Sequence, residues 1–384
     1  VLEESVFGVA TTLLPSLIGL VVNKLSFTLR NNSLEGLRGH PSLQILDLSE
    51  NFNLCELPND VFRDLTLQTL YLGRCNCDSI NPKAFSNSHL LNLYLEYNRL
   101  AAFPSYAKWE ETLSFRKYLK QIYLNGNLLS QIYKEDFRGF RSLSRLILSS
   151  NSIDKFPEGI FEELKNLRVL NLQSNRLHTL SRYSLNSSSL RDITLTNSRI
   201  TFDSSNWDVF QHAHRIEKIR LGKSIIQPDS HRMFQNITTL KVLMLERTIH
   251  QSDFPSTAFI GLSSLKELYL HSCRIRNLEK SYFASLKSPT KLSLQDSGIT
   301  IVDATSFPRT LMKNLQILNI AANPFDCSCK LFWFIDWIND NKNKIQSYGS
   351  KVGQYRCASP QSKYGKWMER LILTPQECLM RPPS

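Results

Sequence analysis

The apolar positions along the chain recur in a compound unit, half strand and half turn. In the stretch 167–177, LRVLNLQSNRL, leucines stand at Leu167, Leu170, Leu172 and Leu177, with Asn175 between the last two. Leu170 and Leu172, two apart, fall on one face of a short strand, and Asn171 between them points to the other face. One such turn cannot bury its own leucines, so it predicts neighbours stacked on either side.

Anchored on the equivalent of Leu167, the pattern recurs at 24, 43, 67, 90, 119, 143, 167, 190, 216, 240, 265, 289 and 315, thirteen units with a mean spacing of about 24 residues. LxxLxLxxNxL at that period is the leucine-rich repeat signature. The fold class expected is therefore an α/β repeat solenoid, a leucine-rich repeat horseshoe with a parallel β-sheet on its concave face. The asparagine column reads Asn32, Asn51, Cys75, Asn98, Asn127, Asn151, Asn175, Ser198, Ser224, Thr248, Cys273, Ser297 and Asn323. Asparagine, or a small residue with a donor, at every turn predicts an interior ladder of hydrogen bonds to backbone carbonyls. A second recurrence, Phe7, Phe62, Phe85, Phe161, Phe234 and Phe283, each after an apolar residue, predicts a phenylalanine spine on the convex side.

The array sets the domain reading: 1–23, the tail of one more repeat; 24–322, the repeats, counted to 325; 323–378, a cysteine-rich cap; and 379–384, a tail. No cysteine-bearing cap precedes the array, and a bare first turn predicts a fragment of a longer chain. The longest interval, 90 to 119, predicts either an emergent loop or a lengthened convex turn. Between 181 and 232 leucines thin out and Ser187, Ser188, Ser189, Asn206 and His212 accumulate, which reads as divergence of the array or a specialised surface. Residues 8–22 are the most apolar run, but it is short and holds Pro15, so no membrane segment is expected.

Four of the eight cysteines close the chain: Cys327, Cys329, Cys357 and Cys378. They form a module that covers the last hydrophobic edge, and their spacing suits disulfides better than zinc, which implies an oxidising compartment. Cys75 and Cys273 occupy the asparagine column and read as buried thiols. Cys55 and Cys77, on adjacent turns, form a candidate bridge. Sequons at Asn31, Asn186 and Asn236 add glycosylation candidates and favour a secreted or cell-surface protein.

The net charge of +12 eases the approach of acidic partners without naming one. Enzyme readings lack parts: there is no glycine-rich phosphate loop and no nucleophile motif, and His212 and His214 have no third metal ligand beside them. Catalytic residues, metal centre and cofactor are all expected to be none.

With array and cap both in hand, the chain resembles the extracellular domain of the Toll-like receptor family over residues 24–378. The specific match is the cap: PFDCSC, the WFIDWI helix, YRCASPQSKYGKWMERL and the final Cys378. The resemblance implies pairing of Cys327 with Cys357 and of Cys329 with Cys378. It also implies an innate immune receptor that binds a microbial product, whether protein, lipid or nucleic acid, and forms a homodimer or heterodimer of receptor chains. Such a receptor signals through a membrane helix and cytoplasmic domain outside this chain, from the cell surface or an endosomal membrane. The alternative is a secreted or cell-surface leucine-rich repeat adhesion or matrix protein that only binds proteins.

The residue four places after each anchor faces the concave surface: Thr28, Asp47, Tyr71, Tyr94, Tyr123, Ile147, Asn171, Thr194, Arg220, Met244, Tyr269, Ser293 and Asn319. Tyr71, Tyr94 and Tyr123 fall on consecutive strands and, with Tyr97, read either as an aromatic ligand patch or as ordinary cross-strand packing. Lys218, Arg220, Lys223, Lys241 and Arg247 form a second candidate, suited to a phosphate-rich ligand or simply a solvated face.

Overall fold

The computed structural model describes residues 7, 13–25, 28–30, 32–54, 57–103, 113–250, 257–275, 278–346, 355–371 and 378. The chain forms two compact units, residues 1–198 with 212–215, and residues 199–211 with 216–384. Each is a parallel-strand solenoid.

In the first unit the strands are β1 (Gly19–Val21), β2 (Ile45–Asp47), β3 (Thr69–Tyr71), β4 (Asn92–Tyr94), β5 (Gln121–Tyr123), β6 (Arg145–Ile147), β7 (Val169–Asn171) and β8 (Asp192–Thr194). They pair in chain order, all parallel. From β2 on, the middle residue of each strand is buried and the leucine two places later turns inward as well. The backbone then passes through a left-handed corner at Glu50, Arg74, Tyr97, Gly126, Ser150 and Ser174, with φ between 55° and 71°. A side chain at such a corner costs roughly 1–2 kcal/mol. The corner amide offsets this by donating to the next turn, as Arg74 N does to Glu96 O at 2.9 Å and Tyr97 N to Asn125 O at 2.8 Å.

One residue past the corner, the asparagine enters the core. Asn151 Nδ2 donates to Leu148 O of its own turn at 3.0 Å and to Leu124 O of the preceding turn at 2.9 Å. Its Oδ1 accepts from Leu129 N at 3.0 Å. Asn51, Asn98, Asn127 and Asn175 donate to carbonyls in the same way. Cys75 fills its place as a buried thiol donating to Leu48 O at 3.3 Å, and burial pushes its pKa up to about 11.

The first turn corrects the phasing read from the sequence. Its strand is Gly19–Val21, paired with Ile45–Asp47, so the repeat does not begin at 24 and Thr28 is not in the sheet column. The register of Leu20 with Leu46 carries Leu25 to the place of Asn51, whose Oδ1 accepts from Leu25 N at 2.8 Å, so Leu25, and not Asn32, occupies the ladder position. Leucine has no side-chain donor, so a pattern that demanded one slipped past it. The long interval ends in helix α1 (Leu113–Tyr118), whose Arg116 is fully buried and donates through Nη1 to Arg138 O at 2.8 Å. Residues 104–112 of that interval, together with Cys55 and Asn31, lie outside the described residues.

In the second unit one parallel sheet joins β10 (Lys218–Arg220), β12 (Val242–Met244), β14 (Glu267–Tyr269), β15 (Lys291–Ser293) and β16 (Ile317–Asn319). A second parallel sheet forms from β9 (Thr201–Phe202), β11 (Ile225–Ile226) and β13 (Ile249–His250). It runs beside the ladder residues Ser224 and Thr248, whose hydroxyls each offer one donor where an asparagine amide offers two. Backbone bonds extend the pairing there: Ile225 N donates to Ile200 O at 2.8 Å and Gln227 N to Phe202 O at 2.9 Å. The leucine-poor stretch is thus in part a second sheet. Phenylalanines fill the opposite wall of each unit, with ring centroids 5.4 Å apart for Phe62 and Phe85 in the first and 5.7 Å for Phe283 and Phe307 in the second.

The unit ends in helix α2 (Arg309–Asn314), β16 and the cap. In the cap, β17 (Phe325–Asp326) pairs with β18 (Cys357–Ser359), and helix α3 (Phe332–Asp340) buries Phe334, Ile335 and Ile338. Cys327 is bonded to Cys357 and Cys329 to Cys378, with Cα atoms 5.5 and 5.3 Å apart.

Candidate binding surface

Parallel pairing places the third residues of β2 to β8 side by side, so like side chains stack on like. The Tyr71 and Tyr94 rings lie 4.3 Å apart at 20°, and those of Tyr94 and Tyr123 4.4 Å apart at 9°. All three are half-buried. Burial, then its two tyrosine neighbours, holds the Tyr94 phenol far above its ordinary range, so its hydroxyl stays protonated. Tyr123 donates to Gln121 Oε1 at 2.9 Å.

Carboxylates flank this row. Asp47, next to Tyr71 in register, accepts from Ser49 N at 2.9 Å and from Ser49 Oγ at 2.6 Å. Glu96 lies across Gly73, where an added Cβ would stand 3.0 Å from the Glu96 carboxyl carbon. Its Oε2 is buried without a hydrogen-bond partner, and burial raises its pKa, partly opposed by Arg74. Tyr97 occupies a different row. It is 51% exposed at its corner, with the Arg74 guanidinium 4.4 Å from its ring centre and Gly126 so close that an added Cβ would fall 2.5 Å from Tyr97 Cδ1.

The five basic candidates spread over separate rows. Lys218 and Arg220 are the outward residues of β10, while Lys223 and Arg247 are exposed at left-handed corners. Lys241 precedes β12 and pairs with Glu217 at 2.8 Å, which removes it from any uncompensated patch.

A polar network in the second unit was not singled out from the sequence. Tyr269 donates to Glu267 Oε2 at 2.6 Å, and Lys291 Nζ lies 5.1 Å from the Tyr269 ring centre. His271 Nε2 is hydrogen-bonded to Ser293 Oγ, and its Nδ1 stands 3.9 Å from Glu246 Oε1. Burial lowers the His271 pKa and Lys291 adds to this, while Glu246 opposes it. Glu246 and His271 lie two residues beyond the sheet column; two steps along an extended chain return to the same face, so continuing the column would have found them.

Of the sequons, Asn186 is half-exposed with Nδ2 3.2 Å from Glu162 Oε1, and Asn236 is exposed at φ 61°. His212 lies against Tyr183 with ring centres 4.7 Å apart. Among the described residues no cluster of His, Cys, Asp and Glu could hold a metal, and no helix is long and apolar enough to cross a membrane.

The repeat geometry, asparagine ladder and disulfide cap define an extracellular-type leucine-rich repeat domain. A family profile described as "BspA type Leucine rich repeat region (6 copies)" matches residues 37–107 and 206–328, half of the chain, and one described as "Leucine rich repeat" matches 141–200. The chain belongs to the leucine-rich repeat family. It is 25% identical over 335 residues to mouse Toll-like receptor 7, covering 78% of this chain and 31% of that protein. It is 24% identical over 318 residues to mouse podocan, covering 79% of this chain and 50% of that protein. A crystal structure described as a TLR13–ssRNA13 complex has the same fold, with a TM-score of 0.71 and 23% identity over 92% of this chain and 53% of that one.

Proposed function

We propose that the chain is the ligand-binding part of a Toll-like innate immune receptor ectodomain, which meets a microbial product on its sheet face and pairs with a second receptor chain at the cell surface or an endosomal membrane. The observation that carries this reading is the stack of Tyr71, Tyr94 and Tyr123. An outward sheet position needs no aromatic to complete the core, and Asn171 and Thr194 fill the same column with small polar groups. Three rigid amphipathic rings in register supply contact area at little entropic cost, as binding hot spots do. The similarity to mouse Toll-like receptor 7 supports the receptor class.

Sedimentation with and without single-stranded RNA, lipopeptide and bacterial protein tests it. One of these should shift the chain to a dimer, and Tyr94→Ala should weaken that ligand by roughly 2 kcal/mol, about 30-fold. No change of mass with any of them would sink the receptor reading. If the ligand is RNA, affinity should fall steeply with salt and Arg220→Ala should weaken it. The second reading, an adhesion or matrix protein, draws on the similarity to podocan, and predicts a protein partner bound without ligand-driven dimerisation.

A further inference from the structure

The Asn186 sequon borders a cavity that the sheet-face reading leaves unused. The cavity measures about 240 Å³ and is lined by Phe161, Glu162, Leu164, Lys165, Asn186, Ser187 and Ser188. Leu164 and Phe161 are buried in the core, whereas Glu162, Lys165 and Ser188 are exposed. Asn186 lines it as well, and its side-chain amide is held by the bond from Nδ2 to Glu162 Oε1 at 3.2 Å. We propose that Asn186 carries an N-linked glycan whose first N-acetylhexosamine packs into this cavity and braces the turn of Glu162 against the turn of Asn186.

The chemistry of the cavity fits one amphipathic sugar. Phe161 and Leu164, among its lining residues, can meet the sugar's C–H face or acetyl methyl. The Lys165 ammonium can donate to its hydroxyls, and the Glu162 carboxylate can accept from them or from the N-acetyl N–H. In the transfer, Asn186 Nδ2 bonds to the anomeric carbon of a lipid pyrophosphate-linked oligosaccharide, the pyrophosphate leaves with the bonding pair, and Nδ2 loses one proton. No redox change is involved. The donor belongs to the secretory route, which the two cap disulfides support. Asn236, four residues before Leu240 as Asn186 is before Leu190, makes a different contact: it lies against Gly261, where an added Cβ would fall 2.4 Å from Asn236 Oδ1.

The test is peptide mass mapping of the full chain secreted from a eukaryotic host, followed by thermal melts. Asn186 should be occupied. Trimming the glycans to a single N-acetylglucosamine should leave Tm unchanged, whereas Ser188→Ala, an exposed change that removes the sequon, should lower it by about 2 °C. The same substitution in chain made in bacteria, without glycans, should leave Tm unmoved and so controls for folding. An unmodified Asn186 overturns the proposal, and so does a Ser188→Ala melt equal to that of the occupied wild type. Neither result bears on ligand-driven dimerisation, so the two readings fail separately.

Discussion

Tyr97 is held between an arginine and a residue without a side chain, and Gly126 has two reasons to be glycine: φ of 71° and the Tyr97 ring against it. Gly126→Ala should cost at least about 1 kcal/mol and expel the ring. A near-ultraviolet dichroism spectrum that keeps its tyrosine band would contradict this. At Glu96 the folded pKa stands above the ordinary 4.5 because of burial. The stability linked to this group is present below 4.5 and is lost as pH rises through the folded value, since the buried carboxylate must then bear charge. Glu96→Gln should therefore raise the melting temperature at neutral pH and leave it nearly unchanged in acid. His271 runs the other way: its folded pKa lies below 6.5, so its stability is present above 6.5 and lost as pH falls through the folded value. Glu246 and Lys291 are the charges that act on it, and their balance sets how far the loss extends. His271→Gln should narrow the gap between melts at about pH 7.5 and about pH 5.5, and an unchanged gap would assign the acid loss elsewhere.

At the scale of the element, the asparagine ladder carries the turn. Asn151 ties its own turn to the preceding one through two donated bonds and one accepted. Asn151→Ala strands two carbonyls and an amide in the core and should cost about 2–4 kcal/mol in urea unfolding, with Asn151→Ser costing less because one donor remains. Equal losses for the two would mean that packing dominates. This column was legible in the sequence because side chains make its bonds. The sheet of β9, β11 and β13 was not, because its strands are two residues long and its bonds are backbone to backbone. The first turn was misphased for a related reason, since Leu25 contributes its amide and no side-chain polar group. The tyrosine row was legible down to its register, whereas the reach of Glu96 across Gly73 depends on an absent side chain and leaves no periodic trace.

Over the whole molecule, the repeats differ from their ends. A turn has a neighbour to satisfy each of its faces, and the cap replaces the missing neighbour with α3 and two disulfides. Reduction should lower stability by about 2–4 kcal/mol per bridge and shift the emission of the stacked Trp333 and Trp337 on α3. Retention of the native spectrum in reductant would show that packing alone holds the cap. The pairing of its cysteines was legible only through family resemblance, since spacing leaves every connectivity open. The ladder has one more consequence, for length. Val169 N and Arg145 N reach back to Ser144 O and Lys120 O by the same bond, so cutting out residues 145–168 would leave Val169 facing Lys120 as Arg145 did. Deleting a single residue between β6 and Asn151 would instead pull the asparagine out of line with Leu124 and Leu129 and break the bonds of both turns. The chain can be lengthened or shortened in whole turns, and its viable insertions and deletions are counted in repeats.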